Sequence, residues 1–213
     1  MASHPGDPTR RESQREERRC AILQVARKAF HDQGYGGTTM SGIAATLGGS
    51  KGTLWAYFAS KEELFAATMD DLVDEFAPFF ALDPARPLEP ALQDYCADFI
   101  AMMLSPAVIA LNRLIVAEAP RFPELGKIFY DRAPRRRQGA LAHHFEQRIR
   151  AGEMRAVDVH LASAHLHHLC QARLVVQTLW GIATDASDRQ IRDEATAAVD
   201  LFLHGYGCPT PSD

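Results

Sequence analysis

The fold is indicated by residues 38–65, which read TTMSGIAATLGGSKGTLWAYFASKEELF. An apolar stripe with the spacing of an α-helix opens this segment: Met40, Ile43, Ala44 and Leu47. Thr39 precedes the stripe, where its hydroxyl can accept a hydrogen bond from a first-turn amide. Two glycines at 48–49 then end the helix, because glycine tolerates the left-handed conformation of a tight turn. The segment therefore predicts a short helix followed by a glycine turn.

A second helix is predicted over residues 51–58, with Ser50 as its N-cap and an apolar inward face. Its outward face carries small or donor-bearing groups: Lys51, Gly52, Thr53, Trp55 and Tyr57. Ser60 and Glu63 form a Ser-x-x-Glu capping box that opens a third helix. Two helices joined by a glycine turn are the arrangement of a helix-turn-helix, whose second helix enters the major groove of DNA.

The same segment resembles the DNA-binding signature of the TetR family of bacterial transcriptional regulators. The matching positions are Ala26-x-x-x-Phe30-x-x-x-Gly34-Tyr35, Thr38-Thr39, Ile43-Ala44, Ser50-Lys51-Gly52-Thr53-Leu54 and Tyr57-Phe58-x-Ser60-Lys61-Glu62-x-Leu64. The resemblance implies an all-α fold, with an N-terminal three-helix helix-turn-helix DNA-binding domain and a larger C-terminal helical domain for ligand binding and dimerisation. It also implies a homodimer that binds a pseudo-palindromic operator on double-stranded DNA and is released by a small-molecule effector. Repression is the usual sign in the family, and activation is the alternative.

The candidate DNA-binding residues are Thr38, Thr39, Ser50, Lys51, Gly52, Thr53, Trp55, Tyr57 and Lys61. Hydroxyls and an ammonium group at helix ends are suited to backbone phosphates. The resemblance assigns phosphate contacts to Tyr57 and Lys61, and places residues 51–53 near base edges. Trp55 departs from the Tyr or His that is common in the family, which leaves open whether it contacts a thymine methyl group or a sugar. The alternative for Tyr57 is packing within the core.

Charge is distributed unevenly along the chain, which has a net charge of −4. Residues 1–61 carry four more cationic than acidic side chains, and residues 62–213 carry eight more acidic than cationic ones. Because phosphate contact is electrostatic, this asymmetry favours polyanion binding by the N-terminal part. Chance asymmetry is the alternative.

Several sequence features indicate a cytoplasmic protein. No run of about 18 apolar residues predicts a membrane span, and the first residues lack the apolar segment of a signal peptide. The four cysteines form no CxxC pair and are expected to be reduced, mostly as core residues, with a redox switch as the alternative.

Proline and glycine divide the chain into the predicted elements. Residues 1–15 are predicted to form a disordered arm, 16–60 the DNA-binding domain, 61–82 a linking helix that Pro78 bends or ends early, and 83–208 the regulatory domain. Within the regulatory domain, helices are predicted at 88–104, 106–119, 134–150, 158–184 and 188–206, together with a short helix that ends at about residue 131. Residues 113–125 resemble the regulatory domain of an AcrR-like or AefR-like subgroup of the TetR family.

An effector pocket is predicted among the helices of the regulatory domain. Its candidate residues are Phe99, Met102, Met103, Asn112, Arg113, Phe122, Phe129, Tyr130 and His143. Aromatic and methionine side chains with a few polar anchors are typical of small-molecule sites, so the unidentified effector is expected to be largely apolar. Each of these residues could instead be ordinary core, and Arg113 could pair with Glu118 rather than anchor a ligand.

The last two helices are predicted to form the dimer interface, because the first of them is apolar on two sides. The candidate interface residues are Leu169, Val176, Leu179, Trp180, Val199, Phe202 and Leu203. Packing against the same two helices of a second copy would form a four-helix interface. An internal core is the alternative.

Catalytic and metal sites are not expected. His165 and His168 share a helix face but lack a third ligand at a suitable spacing, so no metal is predicted; placement near the dimer interface would explain these histidines. Residues 48–53 lack the Gly-Lys-Ser/Thr end of a phosphate loop, and no Gly-x-Ser-x-Gly or HExxH motif occurs. The sequence therefore favours a regulator over an enzyme or a helical adaptor, and no cofactor is implied.

Overall fold

The computed structural model describes residues 10–48, 51–80, 82–183 and 185–208. Its helices, numbered in chain order, are α1 Arg10–Gly37, α2 Met40–Thr46, α3 Lys51–Trp55, α4 Lys61–Phe76, α5 Leu88–Leu104, α6 Pro106–Glu118, α7 Pro123–Arg132, α8 Pro134–Arg150, α9 Val159–Cys170, α10 Leu174–Leu179 and α11 Asp188–Tyr206. Over the described ranges the other regular structure is a 3₁₀ turn, Ala77–Phe80, and one isolated bridge, Met154–Gly207. The all-α prediction is confirmed.

Helices α1 to α3 and the first half of α4 form one unit, the head, around its own apolar core. That core includes Phe30, Tyr35, Leu54, Phe58, Leu64 and Phe65, and Leu125 of α7 packs into it. The predicted caps are present: Thr39 accepts a hydrogen bond from Gly42 N, and Ser60 accepts one from Glu63 N. The Glu63 carboxylate accepts a hydrogen bond from Ala59 N at 2.7 Å, one residue before the Ser60 amide that a standard capping box would use.

The bounds of the head helices differ from the prediction in two places. Helix α1 begins at Arg10, so the prediction of a disordered arm is wrong for residues 10–15, and residues 1–9 lie outside the described part of the chain. Charged side chains one turn apart favour this extension, as in the pair Arg19–Glu16. The second helix of the motif is shorter than predicted, because α3 ends at Trp55 rather than at residue 58.

Helices α5 to α11 form a second unit, the body, around a larger core. Helix α5 lies at its centre, against α9 and α11. Cys96 and Cys170 are buried here, whereas Cys20 and Cys208 are exposed; all four are free. Over the described ranges, a length and hydropathy test finds no single helix able to cross a membrane. Only the pair α5 and α6, bent by 68°, passes that test together.

The long helix predicted for residues 158–184 is interrupted. Helix α9 ends at Cys170 and α10 begins at Leu174, with a turn between them. In this turn Arg173 has φ −128° and ψ −75°, and its guanidinium donates to Glu194 of α11 at 2.8 and 2.5 Å. A tertiary ion pair therefore accompanies a break that no proline or glycine in the sequence indicated.

A buried arginine holds the break before α5 against the end of α8. The side chain of Arg148 is only 4% exposed. Its Nε donates to His144 Nε2 at 3.1 Å and its Nη1 to Glu153 at 2.8 Å. Its Nη2 donates to the carbonyl oxygens of Asp83 and Arg86, at 3.4 and 2.6 Å. The side chain of Arg148 thus links α8, the turn that follows it and residues 83–86.

The head and the body meet at the C-terminal end of α1. Gly34 has φ +72° and ψ 171°, which turns the chain away from the helix axis. After this turn, the amide of Gly36 donates to Glu118 Oε2 at 3.3 Å. The ring of Phe122 lies edge-on to Tyr35, with centroids 5.3 Å apart. The corner between α6 and α7 therefore rests directly on the head.

Candidate nucleic-acid interface and effector cavity

The outer face of α2 and α3 is open to solvent. Its exposed members include Thr39, Gly42, Thr46, Gly52 and Trp55, while Thr53 is half-buried. Trp55 is 48% exposed although it adjoins the buried Leu54, so its indole is available to a partner rather than to the head core. Ser50 lies outside the described residues; Lys51 begins α3.

The structure gives Thr38 a role within the head rather than at its surface. Its side chain is buried, and its hydroxyl lies 2.7 Å from Gly34 O and 3.0 Å from Ala29 O. A buried hydroxyl engaged with main-chain carbonyls cannot reach a phosphate, so the predicted contact is wrong for Thr38. Its neighbour Thr39 is exposed and, after capping α2 as an acceptor, keeps its hydroxyl hydrogen for a further partner.

Lys61 also differs from the prediction. Its ammonium group donates to Tyr35 O at 2.8 Å and to Thr38 O at 3.2 Å, which are carbonyls at the end of α1. It lies 4.0 Å from the centroid of the Tyr35 ring and 5.6 Å from that of Phe122. The cation is therefore engaged inside the head–body junction, not directed at a phosphate.

We expect Lys61→Met to lower the free energy of unfolding by about 2 to 3 kcal/mol, because hydrogen bonds from a charged donor and a cation–π contact are lost together. Lys28→Met is the matched control, since Lys28 is exposed and pairs only with Asp32 on the same helix. Urea titration measures both changes. If Lys61→Met left the stability unchanged and made the affinity for DNA depend less steeply on salt, Lys61 would instead contact a DNA phosphate.

Two arginines that were not among the candidate DNA-binding residues lie beside the motif. Arg15 is placed over the half-buried ring of Tyr57, at 5.9 Å from its centroid, and Arg19 over Phe58, at 6.0 Å. Tyr57 packs partly against the head core, as the alternative interpretation had it, but is not fully enclosed. The Arg-rich composition of residues 10–19 was the available signal, obscured by the expectation of disorder.

The body contains a cavity of about 480 Å³ between α4, α5, α6, α7, α8 and α9. Five of the nine predicted pocket residues line it: Met102, Met103, Asn112, Phe129 and Tyr130. The end of α4 supplies Leu72, Val73 and Phe76 to its wall. Residues of α4 were not among the predicted pocket residues, although the apolar stripe of this helix continues past the head.

The other four predicted pocket residues lie outside the lining. Phe99 is fully buried behind it, with its ring 4.7 Å from that of His167. Arg113 donates to the carbonyls of residues 178 and 179, each at 2.9 Å, so neither the ligand anchor nor the pair with Glu118 is found. Phe122 packs at the head–body junction, and His143 is exposed near the carboxylate of residue 146.

Three polar side chains in the cavity region were not predicted to bind an effector: Tyr95, Arg137 and His167. Tyr95 OH lies 2.8 Å from His167 Nε2. Burial and the nearby Arg137 lower the pKa of His167 to about 3, so its imidazole is neutral at pH 7. Burial raises the pKa of Tyr95 and lowers that of Arg137. A neutral hydrogen-bonding pair thus lies beside a half-buried cation.

The remaining histidines of α9 have separate partners. His165 Nδ1 lies 2.5 Å from Tyr206 OH, and His168 Nδ1 lies 2.7 Å from Ala164 O. Over the described ranges, no three His, Cys, Asp or Glu side chains come together as a metal site would require.

The predicted dimer residues separate into two groups. Val199 and Phe202 are 0% and 1% exposed within the single chain, so the prediction that they form an interface is wrong; they pack in the body core. Leu169, Val176, Leu179 and Leu203 are half-buried, and Trp180 is 72% exposed. Three further exposed apolar side chains lie on α9, just after α10 and on α11: Leu161, Ile182 and Leu201.

Curated relatives match part of the chain. The HTH-type transcriptional repressor ComR of Escherichia coli is 35% identical over 82 residues, 37% of this chain and 39% of ComR. The HTH-type transcriptional regulator BetI of Rhizobium meliloti is 33% identical over 129 residues, 58% of this chain and 63% of BetI. The chain thus aligns with less than two thirds of either relative.

Solved structures match over nearly the whole chain. The Flavonoid-responsive Regulator FrrA has a TM-score of 0.81 at 26% identity, with 92% of this chain and 100% of FrrA covered. A TetR-family regulator from Mesorhizobium loti has a TM-score of 0.78 at 28% identity, with 90% and 98% covered.

Family models match both units. Residues 22–68 match the model for bacterial regulatory proteins of the tetR family. Residues 90–208, more than half of the chain, match the C-terminal domain of AefR-like transcriptional repressors. The chain therefore belongs to the TetR family of bacterial transcriptional regulators.

Proposed function

We propose that this protein is a cytoplasmic, effector-responsive repressor that binds a pseudo-palindromic DNA operator as a homodimer. The observation that carries the proposal is one helix, α4, that joins the two candidate sites. Its first turns place Leu64 and Phe65 in the head core, and its last turns place Leu72 and Phe76 in the cavity wall. Occupation of the cavity would therefore act on the element that positions the head.

Helix α6 provides a second connection. It contributes Val108, Leu111 and Asn112 to the cavity, and its last residue, Glu118, accepts from the amide of Gly36 in the head. An effector that binds one arrangement of α4 and α6 more tightly shifts the population toward it. In our proposal that arrangement sets the two heads of a dimer at a spacing that no longer matches the operator.

The homodimer is supported by exposed apolar side chains on α9, on α11 and at the end of α10. Leu161, Trp180, Ile182 and Leu201 are each more than half exposed in the single chain. Large apolar groups near one another on a surface are typical of protein–protein contacts. A second copy that packs its own α9 to α11 region here would bury them in a two-fold interface.

The effector is proposed to contain aromatic rings. Phe76, Phe80, Phe129 and Tyr130 contribute ring surface to the cavity. The name of FrrA describes that protein as responsive to flavonoids, which are ring-containing molecules. Ring stacking and edge contacts of such a ligand would be satisfied by this lining.

The test is selection of bound duplexes from a random pool, followed by titration of the enriched duplex at two salt concentrations. We expect an inverted repeat, an affinity that falls steeply with salt, and an even number of chains per duplex. Trp55→Ala should weaken operator binding by about tenfold or more, or about 1.4 kcal/mol.

Val116→Ala is the matched control, because Val116 is 71% exposed and lies on α6, outside α2 and α3. It should leave the affinity unchanged. Selection that enriches no inverted repeat, from protein refolded to remove bound ligand, would contradict the proposal. Equal losses in both variants would contradict the assignment of the interface to α3.

A further inference from the structure

The cavity contains a half-buried cation without a counter-ion among the described residues. Arg137 lies in the first turn of α8 and lines the cavity, with its guanidinium 4.9 Å from the ring centroid of Phe99 and 5.9 Å from that of Phe80. Its Nε has no hydrogen-bond partner among the described residues. Aromatic faces attract a cation but provide no acceptor oxygen for its N–H groups.

No acidic residue compensates this charge within the part of the chain that the structure describes. The cavity lining there includes neither aspartate nor glutamate, and Arg137 forms no ion pair. The nearby imidazole of His167 is neutral at pH 7 and cannot serve as an anion. Arg136 also lines the cavity but differs, because it is exposed and pairs with Asp70 and Asp74.

A second arginine, which is fully buried, shows how this fold satisfies such a group. Arg148 has four hydrogen-bond acceptors, one of them the Glu153 carboxylate. A buried guanidinium without such partners carries an unfavourable desolvation free energy. A carboxylate entering the cavity would remove this penalty, since its two oxygens match the planar fork of a guanidinium.

We propose that the effector is an organic acid, with a ring-containing apolar body and one acidic group that pairs with Arg137. The Tyr95–His167 pair lies beside this cation and is available for a further hydrogen bond to the ligand. The inference rests on the proposed effector response and specifies the chemical class of the ligand. Neutral molecules of the same shape are discriminated against, because they leave the guanidinium unpaired.

The test uses two fluorescent probes that share their rings and differ in charge: 1-anilinonaphthalene-8-sulfonate and neutral N-phenyl-1-naphthylamine. Titrated into the full chain without DNA, the anion should bind about tenfold more tightly than the neutral probe. Arg137→Gln should abolish this difference by weakening anion binding alone. Arg135→Gln is the matched control, because Arg135 is exposed, pairs with Asp131 and does not line the cavity; it should change neither affinity.

Displacement of the probe tests whether a carboxylate is accepted at the site. Naphthalene-2-carboxylate should displace the anionic probe from the unmodified protein, and naphthalene-2-carboxamide should not. Arg137→Lys should keep part of the preference, because it retains a cation without the planar fork. Thermal unfolding of each variant, followed by circular dichroism, shows whether the fold is kept.

Equal binding of the two probes, an equal loss of both in Arg137→Gln, or binding of neither probe would overturn the inference. A chain that selects an operator but shows no anion preference would contradict this inference alone. A chain that shows the preference but selects no operator would contradict the proposed function alone.

Discussion

Replacement of Arg148 by alanine is expected to lower the free energy of unfolding by about 3 to 5 kcal/mol, because a fully bonded buried charge is removed and its acceptors remain. The carbonyl oxygens of Asp83 and Arg86 would lose their donor, and the Glu153 carboxylate its cation. Urea titration followed by circular dichroism measures the change.

Arg150→Ala is the control for this substitution. Arg150 occupies the same helix, but its side chain is exposed and pairs only with Glu146 one turn away, so its loss should change stability by about 0.5 kcal/mol or less. Arg148→Met tests the packing contribution, because it retains most of the side-chain volume. If Arg148→Ala were no worse than Arg150→Ala, the bonds of Arg148 would not hold residues 83–86 against α8.

Replacement of Gly34 by alanine is the second large expected effect. A side chain at φ +72° and ψ 171° is strained by about 1 to 3 kcal/mol. An added Cβ would also lie 2.7 Å from Glu118 Oε1, which forces that carboxylate away from the head. We expect the free energy of unfolding to fall by about 2 to 4 kcal/mol in total, measured by the same titration.

Two further variants separate strain from the close contact. Gly34→Ala combined with Glu118→Ala should recover only the part caused by the carboxylate. Gly139→Ala is the control, since Gly139 lies within α8 and a Cβ added there would meet no neighbouring atom within 4 Å; it should raise stability by up to about 1 kcal/mol. A neutral result for Gly34→Ala would contradict the strained conformation.

Features set by neighbouring residues were predicted well from the sequence. Thr39 and Ser60 cap the helices they precede, because a cap depends on residues within one turn. The end of α4 at Phe76 follows from Pro78, which cannot continue the hydrogen-bond pattern of a helix. The all-α class follows from the same local signals repeated along the chain.

Features set by distant residues were not predicted. Lys61 was assigned to DNA, but its partners Tyr35 and Thr38 lie in a different part of the head and become acceptors only after packing. Val199 and Phe202 were assigned to the dimer, since helical periodicity cannot distinguish an internal apolar face from an external one.

The residues of the candidate cavity were predicted about half correctly, because they too depend on contacts between distant parts of the chain. Apolar residues on α5, α6 and α7 indicated a pocket, and five of nine line the cavity. Arg137 was overlooked because nothing in the run Arg135-Arg136-Arg137 shows which of the three faces inward. That distinction requires the rotation of α8 against its neighbours.

In the proposed mechanism, the length of α4 sets how far a small tilt at the cavity displaces the candidate DNA-binding surface. Its 16 residues span about 24 Å at the usual helical rise. If the helix tilts as a rigid rod about its cavity end, an angle of about 5° displaces its head end by about 2 Å. In a symmetric pair both heads move, so the change in their separation can reach about twice that, more than a hydrogen bond tolerates. A small tilt at the cavity end of α4 would therefore produce a larger displacement at its head end.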